Sequence, residues 1–299
     1  MDILRLATII LFDGLSYAAT LFLLSVGLTV VFGVLRILNI SHGGIYALGA
    51  YMGTWLALWS LDMGLPPVLS YLMLIVGALI IGFTVGPIIE RVFLRRIYGS
   101  DMHIQLLLTF SILLIMDDGM KLIWGMEPLF VSFPPLGTFT VAEIIYPWYD
   151  FLLVGVSIVF GGALVWIVRG TRFGKLVVSV INDREVSLAI GINVNVIYTV
   201  AFTAGALAAA LGGAFIAPKI AVVPQFALEV IVLAFAVIAI GGMGSIEGAA
   251  VGALIVSLAR ALAIHLAPEL DLVSIYLIMI VVLAFRPQGL FGEVELRRI

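Results

Sequence analysis

Apolar runs of membrane length recur along almost the whole chain, and they leave few folds open. About 20 apolar residues cross the roughly 30 Å hydrocarbon core of a bilayer. By that measure spans are expected near residues 10–35, 43–60, 68–89, 103–124, 148–168, 196–217, 227–242, 246–266 and 272–285. Runs so long and so evenly apolar do not suit barrel strands, which alternate over about ten residues. Backbone groups in lipid must bond to one another, so helices remain. Composition agrees: 63% of residues are hydrophobic and 11% are charged, against about 25% charged in a soluble domain. The expected fold class is all-α, a polytopic membrane protein with about eight or nine transmembrane or broken helices.

No stretch is long and polar enough for a second domain, so residues 1–299 are expected to form a single transmembrane domain. The N-terminal apolar run has no clear cleavage site and reads as a retained helix. Lys and Arg set the orientation. With nine spans and an outside N-terminus, three clusters fall on the cytoplasmic side. They are Arg91, Arg95 and Arg96; Arg169, Arg172, Lys175 and Arg184; and Arg286, Arg297 and Arg298 in the tail. Arg36 joins them, and only Arg5, Lys121 and Lys219 lie outside. Segment 125–147 is Pro-rich and aromatic with acidic charges only, and is expected to be an ordered outer loop at the interface.

Several chemistries are excluded or left without support. There is no cysteine, hence no disulfide, thiolate metal site or cysteine nucleophile. His42, His103 and His265 are far apart and show no metal-ligand spacing. No G-x-x-x-x-G-K-[ST] occurs, and "GTRFGK" has the wrong glycine spacing, so ATP is not bound by that route. An enzyme would need a nucleophile and base together; neither Ser41 beside His42 nor His265 near Pro268 supplies a credible triad. No enzyme activity and no cofactor are expected, and the net charge of −3 points to no particular partner.

Two interruptions stand out. "LRILNISHGGIYALGAY" (35–51) places Asn39, Ser41, His42, Gly43 and Gly44 inside an apolar run. "VLAFAVIAIGGMGSIEGAAVGALIVSL" (232–258) does the same with glycines and a serine. Each reads as a helix that breaks and restarts, which suits an internal repeat; glycine-rich membrane helices would look alike without common origin. An unwound helix end supplies free N–H groups for a zwitterion or carboxylate at depth. The pore and substrate candidates are therefore Asn39, Ser41, His42, Gly43 and Tyr46 in the first half, and Gly241, Gly242, Gly244 and Ser245 in the second. Asn39 and His42 could equally cap the broken helix and bond to neighbouring carbonyls. Gly244, Gly248 and Gly252, four residues apart, offer one helix face for close packing. Asp117 and Asp118 with Lys121 could serve an ion-coupled secondary transporter or channel, or hold structure near the outer interface.

Between two spans, "RGTRFGKLVVSVINDREVSLAIGINVN" (169–195) is the longest charged stretch. Within it a short helix is expected, with Asp183 at its N-terminus and Gly191 stopping it. Read from its residues, this loop either rests on lipid headgroups or docks a cytoplasmic partner.

"GLTVVFGVLRILNISHGGIYALGAY", "TRFG…NDREVSLAIGINVN", "IGGMGSIEGAAVGA" and "RPQGLFG" follow one another in order, and "LLLTFSILLIMDDGMKLIWG" fits beside them. From Gly14 to Gly292 the chain resembles the permeases of branched-chain amino-acid ABC importers, in particular the smaller, H-like of their two types. The resemblance implies a subunit of the bacterial or archaeal cytoplasmic membrane that forms half of a pore. Its implied partners are a second homologous permease, two cytoplasmic ATPase subunits that bind ATP, and a periplasmic or extracellular substrate-binding protein. The family's loop docks on the ATPases, which carries over to Asp183, Arg184, Glu185, Ala189, Gly191 and Asn193. The chain departs from the family pattern at Ile40 and Ser41 in the first break, at Gly44 and Val178, and at Asp117–Asp118. Relatives of the same type carry urea, amides or aromatic acids as well as leucine-like amino acids.

Overall fold

A computed structural model describes residues 3–131, 136–141 and 143–292. The tail arginines Arg297 and Arg298, and part of the Pro-rich stretch after Val131, lie outside the described residues. Each expected span is occupied by a helix. α1 covers Ile3–Leu35, α2 His42–Asp62, α3 Pro67–Ile88, α4 Met102–Trp124 and α5 Trp148–Gly170. The second half holds α6 (Arg172–Asn182), α7 (Arg184–Ala189), α8 (Val194–Ile216), α9 (Phe226–Gly241), α10 (Ile246–Leu266) and α11 (Asp271–Phe285). Among the described residues, five helices are long and apolar enough to cross a membrane: α1, α3 with its extension to Arg96, α5, α8 and α10. α9 and α11 have 16 and 15 residues, or only about 24 Å and 22 Å of helix at 1.5 Å per residue.

Three boundaries differ from the hydropathy reading. α1 begins at Ile3 and runs 33 residues, about 50 Å, so it is longer than a hydrocarbon core. α3 contains Pro87, after which the ladder loosens into a π turn at Ile89–Phe93 and a 3-10 turn at Leu94–Arg96. Proline has no N–H to give and crowds the preceding turn, which is why such loosening gathers beside it. The loop 169–195 holds two helices rather than one, α6 and α7.

The all-helical expectation also needs one addition. The outer segment forms a two-stranded antiparallel hairpin, β1 (Thr138–Val141) with β2 (Ile144–Pro147). Aromatic rings from the hairpin, α1 and α5 pack together: Phe12 lies 4.6 Å from Tyr146 and Phe139 4.9 Å from Trp148. A bridge between Leu129 and Val222 ties the segment to the α8–α9 connection. The expected ordered loop is thus a folded cap at one end of the bundle, here called the hairpin end.

α8 is the centre. It packs against α1, α2 and α3, and it can do so closely because small residues meet at each crossing. A Cβ placed on Gly205 would lie 2.5 Å from Val31 and 2.7 Å from the Gly27 carbonyl, and one on Gly82 2.8 Å from the Leu207 backbone. One on Gly213 would run into the Tyr46 carbonyl. The apolar windows of α1 and α8 are each 78% buried, against 22% for α5. α5 is therefore peripheral, and its outward face, with Ile158, Val159 and Trp166 exposed, suits lipid.

Candidate functional site

The first break is a re-entrant elbow. α1 ends at Leu35, and the next residue, Arg36, takes a left-handed φ of 56°, a conformation most non-glycine residues avoid. The chain then turns back along α1 without helical structure until His42. His42 Nε2 donates to the carbonyl of Leu24 at 2.9 Å. That carbonyl lies roughly 17 Å along α1 from Leu35 at 1.5 Å per residue, so α2 starts deep inside the bundle. Because a carbonyl only accepts, Nε2 carries a proton. Ser41 Oγ donates to Asn39 Oδ1 at 2.5 Å, and Asn39, Ser41 and His42 are all fully buried. Thr109 of α4 reaches the Leu38 carbonyl at 3.4 Å. A Cβ on Gly43 would lie 2.8 Å from Ile231 and closer still to the Ala227 carbonyl.

These contacts bring the four elbow candidates together in the interior, and the His42 bond ties the start of α2 to α1. Asn39 Nδ2 and His42 Nδ1 have no partner among the described residues. Tyr46, one turn further on, is the candidate that reaches an open cavity, described below.

The second break is built differently. Gly242 and Gly244 take φ of 110° and 87°, and Ser245 caps α10 by accepting from Gly248 N at 3.0 Å. The tail closes over it: Leu290 N donates to Ile240 O at 2.9 Å and Phe291 N to Gly241 O at 2.8 Å. Carbonyls at a helix C-terminus have no partner inside the helix, and here the "RPQGLFG" backbone satisfies two of them. Gly248 and Gly252 face the Gly241 and Val237 carbonyls of α9, as close packing requires. Gly244 does not share that face, because it lies in the break itself, where a Cβ would lie 3.5 Å from Gly33 of α1.

The coupling-loop candidates are outward-facing. Asp183 caps α7, its Oδ1 accepting from Val186 N at 2.9 Å. Gly191 ends the helix at φ 87°, with its N–H on Leu188 O and that of Ile192 on Ser187 O. This is the left-handed C-terminal closure that glycine favours. Asn193 in turn caps α8 by accepting from Val196 N at 3.3 Å. Arg184, Glu185 and Ala189 are exposed, and so are Val186, Leu188 and Ile190. Ser187 is buried and meets Ser179 of α6 at 3.2 Å, which fixes the two short helices together. Gly174 allows α6 to fold back, since a side chain there would strike the Val168 carbonyl.

Behind this loop sits a buried ionic knot that hydropathy does not show. Glu90, in the π turn, is fully buried and accepts from Arg95 at 3.1 Å, Tyr98 at 2.6 Å and Thr199 of α8 at 2.6 Å. A buried carboxylate demands such partners. The knot fixes the end of α3 to the start of α8, next to α6 and α7.

At the hairpin end, Asp117 and Lys121 do meet. Lys121 bonds Asp117 at 2.7 Å and Asp118 at 3.0 Å. Asp117 also accepts from Gln225 N at 3.0 Å, where the chain turns into α9 with a left-handed φ of 70°. Asp117 is thus committed to anchoring the α9 entry.

The residues missed by sequence reasoning lie between α1, α9, α10 and α11. There a cavity of about 730 Å³ opens, walled in part by Asp13, Lys219, Glu229, Arg260, His265 and Asp271. Arg260 binds Asp271 through Nε at 2.7 Å and Nη2 at 3.0 Å, and lies 4.5 Å over the Tyr17 ring. Lys219 bonds Asp150 and Ser16, each at 2.6 Å, and His265 meets Asp13 at 3.0 Å. Ionisable residues inside apolar spans are functional markers, and Glu229 and Arg260 carried that signal in "FALEVIV" and "SLARALA".

Apolar helices of membrane length, a polar cavity among them and an outward-facing capped loop define a multi-pass membrane transport subunit. The sequence profile described as "Branched-chain amino acid transport system / permease component" matches residues 10–283, and the chain belongs to that family. It is 28% identical to the high-affinity branched-chain amino acid transport system permease protein LivH of Salmonella typhimurium, over 97% of this chain and 96% of that protein. It is 27% identical to LivH of Escherichia coli K12 over the same shares, and 27% identical to BraD of Pseudomonas aeruginosa over 97% of each. The chain is therefore a multi-pass permease component of the cytoplasmic (inner) membrane and not an enzyme.

Proposed function

We propose that the chain forms half of the translocation pathway of an ATP-driven importer of branched-chain or other hydrophobic amino acids. The observation that carries this reading is the family match over residues 10–283, and the relatives it resembles are named for high-affinity branched-chain amino-acid transport. A second, homologous permease completes the pore, two cytoplasmic ATPases dock on α6 and α7, and an extracytoplasmic binding protein delivers substrate. The exposed Val186, Leu188 and Ile190 beside Arg184 and Glu185 support the docking assignment. Both short helices are pre-capped, α6 by Thr171 and α7 by Asp183, so little order has to be acquired on binding.

In this reading all nine long helices cross or enter the bilayer as one domain, with the N-terminus outside. Two helix–break–helix units, α1–α2 and α9–α10, are relics of an internal repeat. The elbow residues Asn39, Ser41, His42 and Gly43 shape the pathway from behind by fixing where α2 begins, and Tyr46 contributes to its wall. Gly241, Gly242, Gly244 and Ser245 form a hinge at the cytoplasmic end. Tilting of the coupling helices under ATP-driven closure switches access between the two sides, which requires different contacts in two states and no covalent chemistry.

The test is leucine uptake into proteoliposomes holding this chain, the second permease, both ATPases and the binding protein. ATP-dependent leucine accumulation that disappears when the ATPases are omitted is expected. Uptake by this chain alone in a proton gradient overturns the reading. Accumulation of urea, an amide or an aromatic acid in place of leucine overturns its substrate.

A further inference from the structure

We propose that the charged cavity at the hairpin end is a binding subsite for a zwitterionic α-amino acid with an apolar side chain, and that Glu229 reads its ammonium group. The proposal rests on the importer reading above. Three ion pairs on the wall are internally satisfied: Arg260 with Asp271, Lys219 with Asp150, and His265 with Asp13. Glu229 is different. It lines the cavity in the first turn of α9, is exposed, and makes no hydrogen bond or ion pair among the described residues. Such groups are too costly to face lipid, so this side of the subunit borders an aqueous path.

A second observation points to a ligand. Ser257 of α10 lines the same cavity and is fully buried, yet its hydroxyl has no partner among the described residues. A buried hydroxyl is normally bonded. Arg260 uses two of its five N–H groups on Asp271, which leaves donors for a carboxylate. Leu21, Phe226, Val230 and Leu233 supply apolar wall between these polar groups. Anion, donors and apolar surface in one cavity are the complement of an amino acid: ammonium to Glu229, carboxylate to Arg260 and Ser257, side chain to the apolar wall. The volume of about 730 Å³ is within the usual range for small-molecule sites.

Because the chain has no cysteine, a single reporter can be placed at the cavity. Ile264→Cys, on the rim and 42% exposed, is labelled with a membrane-impermeant thiol reagent in the assembled transporter without ATP, and labelling of this chain alone is followed. L-leucine is expected to slow labelling at least threefold, while 4-methylpentanoate, which lacks the ammonium, does not. Glu229→Gln is expected to raise the leucine concentration needed for protection at least tenfold, and Glu229→Asp to restore part of it. If Glu229→Gln prevents assembly, Ser257→Ala is read in its place, with the same tenfold expectation. Equal protection by both ligands, no protection by leucine, or protection unchanged in the variants overturns the subsite while leucine uptake by the unsubstituted transporter stands. Absent leucine uptake overturns the importer reading and the leucine subsite with it.

Discussion

Replacing Gly77 with alanine tests the packing that holds the bundle together. A Cβ at Gly77 of α3 would stand 2.7 Å from both the N and the Cα of Gly53 in α2, and 3.0 Å from the Met52 carbonyl carbon. All three are backbone atoms and cannot rotate aside. Ordinary contact begins at 3.4 Å, so α2 and α3 must part by several tenths of an ångström along their crossing. A gap of 0.5–1 Å forfeits about a quarter to a half of the dispersion energy of the atoms that face it, and forced overpacking costs about 1–3 kcal/mol. Alanine returns about 1 kcal/mol through helix propensity, which leaves a net loss of up to about 2 kcal/mol. Gly155 of α5 is the control, because nothing lies within 4 Å of a Cβ there, and Gly155→Ala keeps the propensity gain alone. At roughly 2–4 °C per kcal/mol, Gly77→Ala lowers the melting midpoint in detergent by up to about 8 °C, while Gly155→Ala leaves it unchanged or higher. Tryptophan fluorescence or size-exclusion after heating reads both variants. Equal shifts in the two would refute the argument that backbone approach at Gly53 and Gly77 sets the α2–α3 distance.

Glu90→Ala leaves Arg95, Tyr98 and Thr199 without their shared acceptor; removing one partner of a buried pair costs about 3–5 kcal/mol, discounted here to about 2–3 because the Arg95 side chain is 35% exposed. A melting shift under 2 °C would count against that knot. Asp183→Ala removes the α7 cap at about 1 kcal/mol and is expected to reduce ATPase retention during purification and uptake several-fold, with Asp183→Asn near the unsubstituted level; uptake intact in Asp183→Ala speaks against docking there. Asp117→Leu is expected to destabilise the α9 entry, and Asp118→Leu to be tolerated, since the Asp118 side chain is 76% exposed. The reverse order in thermal melting would contradict the Gln225 bond.

Hydropathy located the long helices, because apolar length is set by the bilayer and needs no tertiary contact. Local chemistry located α7: Asp183 caps its start and Gly191 closes its end in the left-handed conformation. What was not legible depends on pairs distant in sequence. The re-entrant elbow needs Leu24 beside His42, the α3–α8 knot needs Thr199 beside Glu90, and the cavity needs α1 beside α10 and α11. The glycine breaks drew attention as a possible wall of the pathway, and the structure places most of them inside close packing. Glu229 and Arg260 are single charges in apolar runs, and their meaning emerges only once the cavity between their helices is known.

The central position of α8 has a consequence for synthesis. α1, α2 and α3 are complete by Ile88, but the helix their glycine faces pack against begins only at Val194, after about two-thirds of the chain. At 5–20 residues per second, the ribosome needs on the order of ten seconds to reach it. During that interval Gly27, Gly49 and Gly82 have no α8 to meet, and the early helices wait in the bilayer as a bundle without its axis. A chain truncated before Val194 stays in that state, with open small-residue faces available to any passing helix.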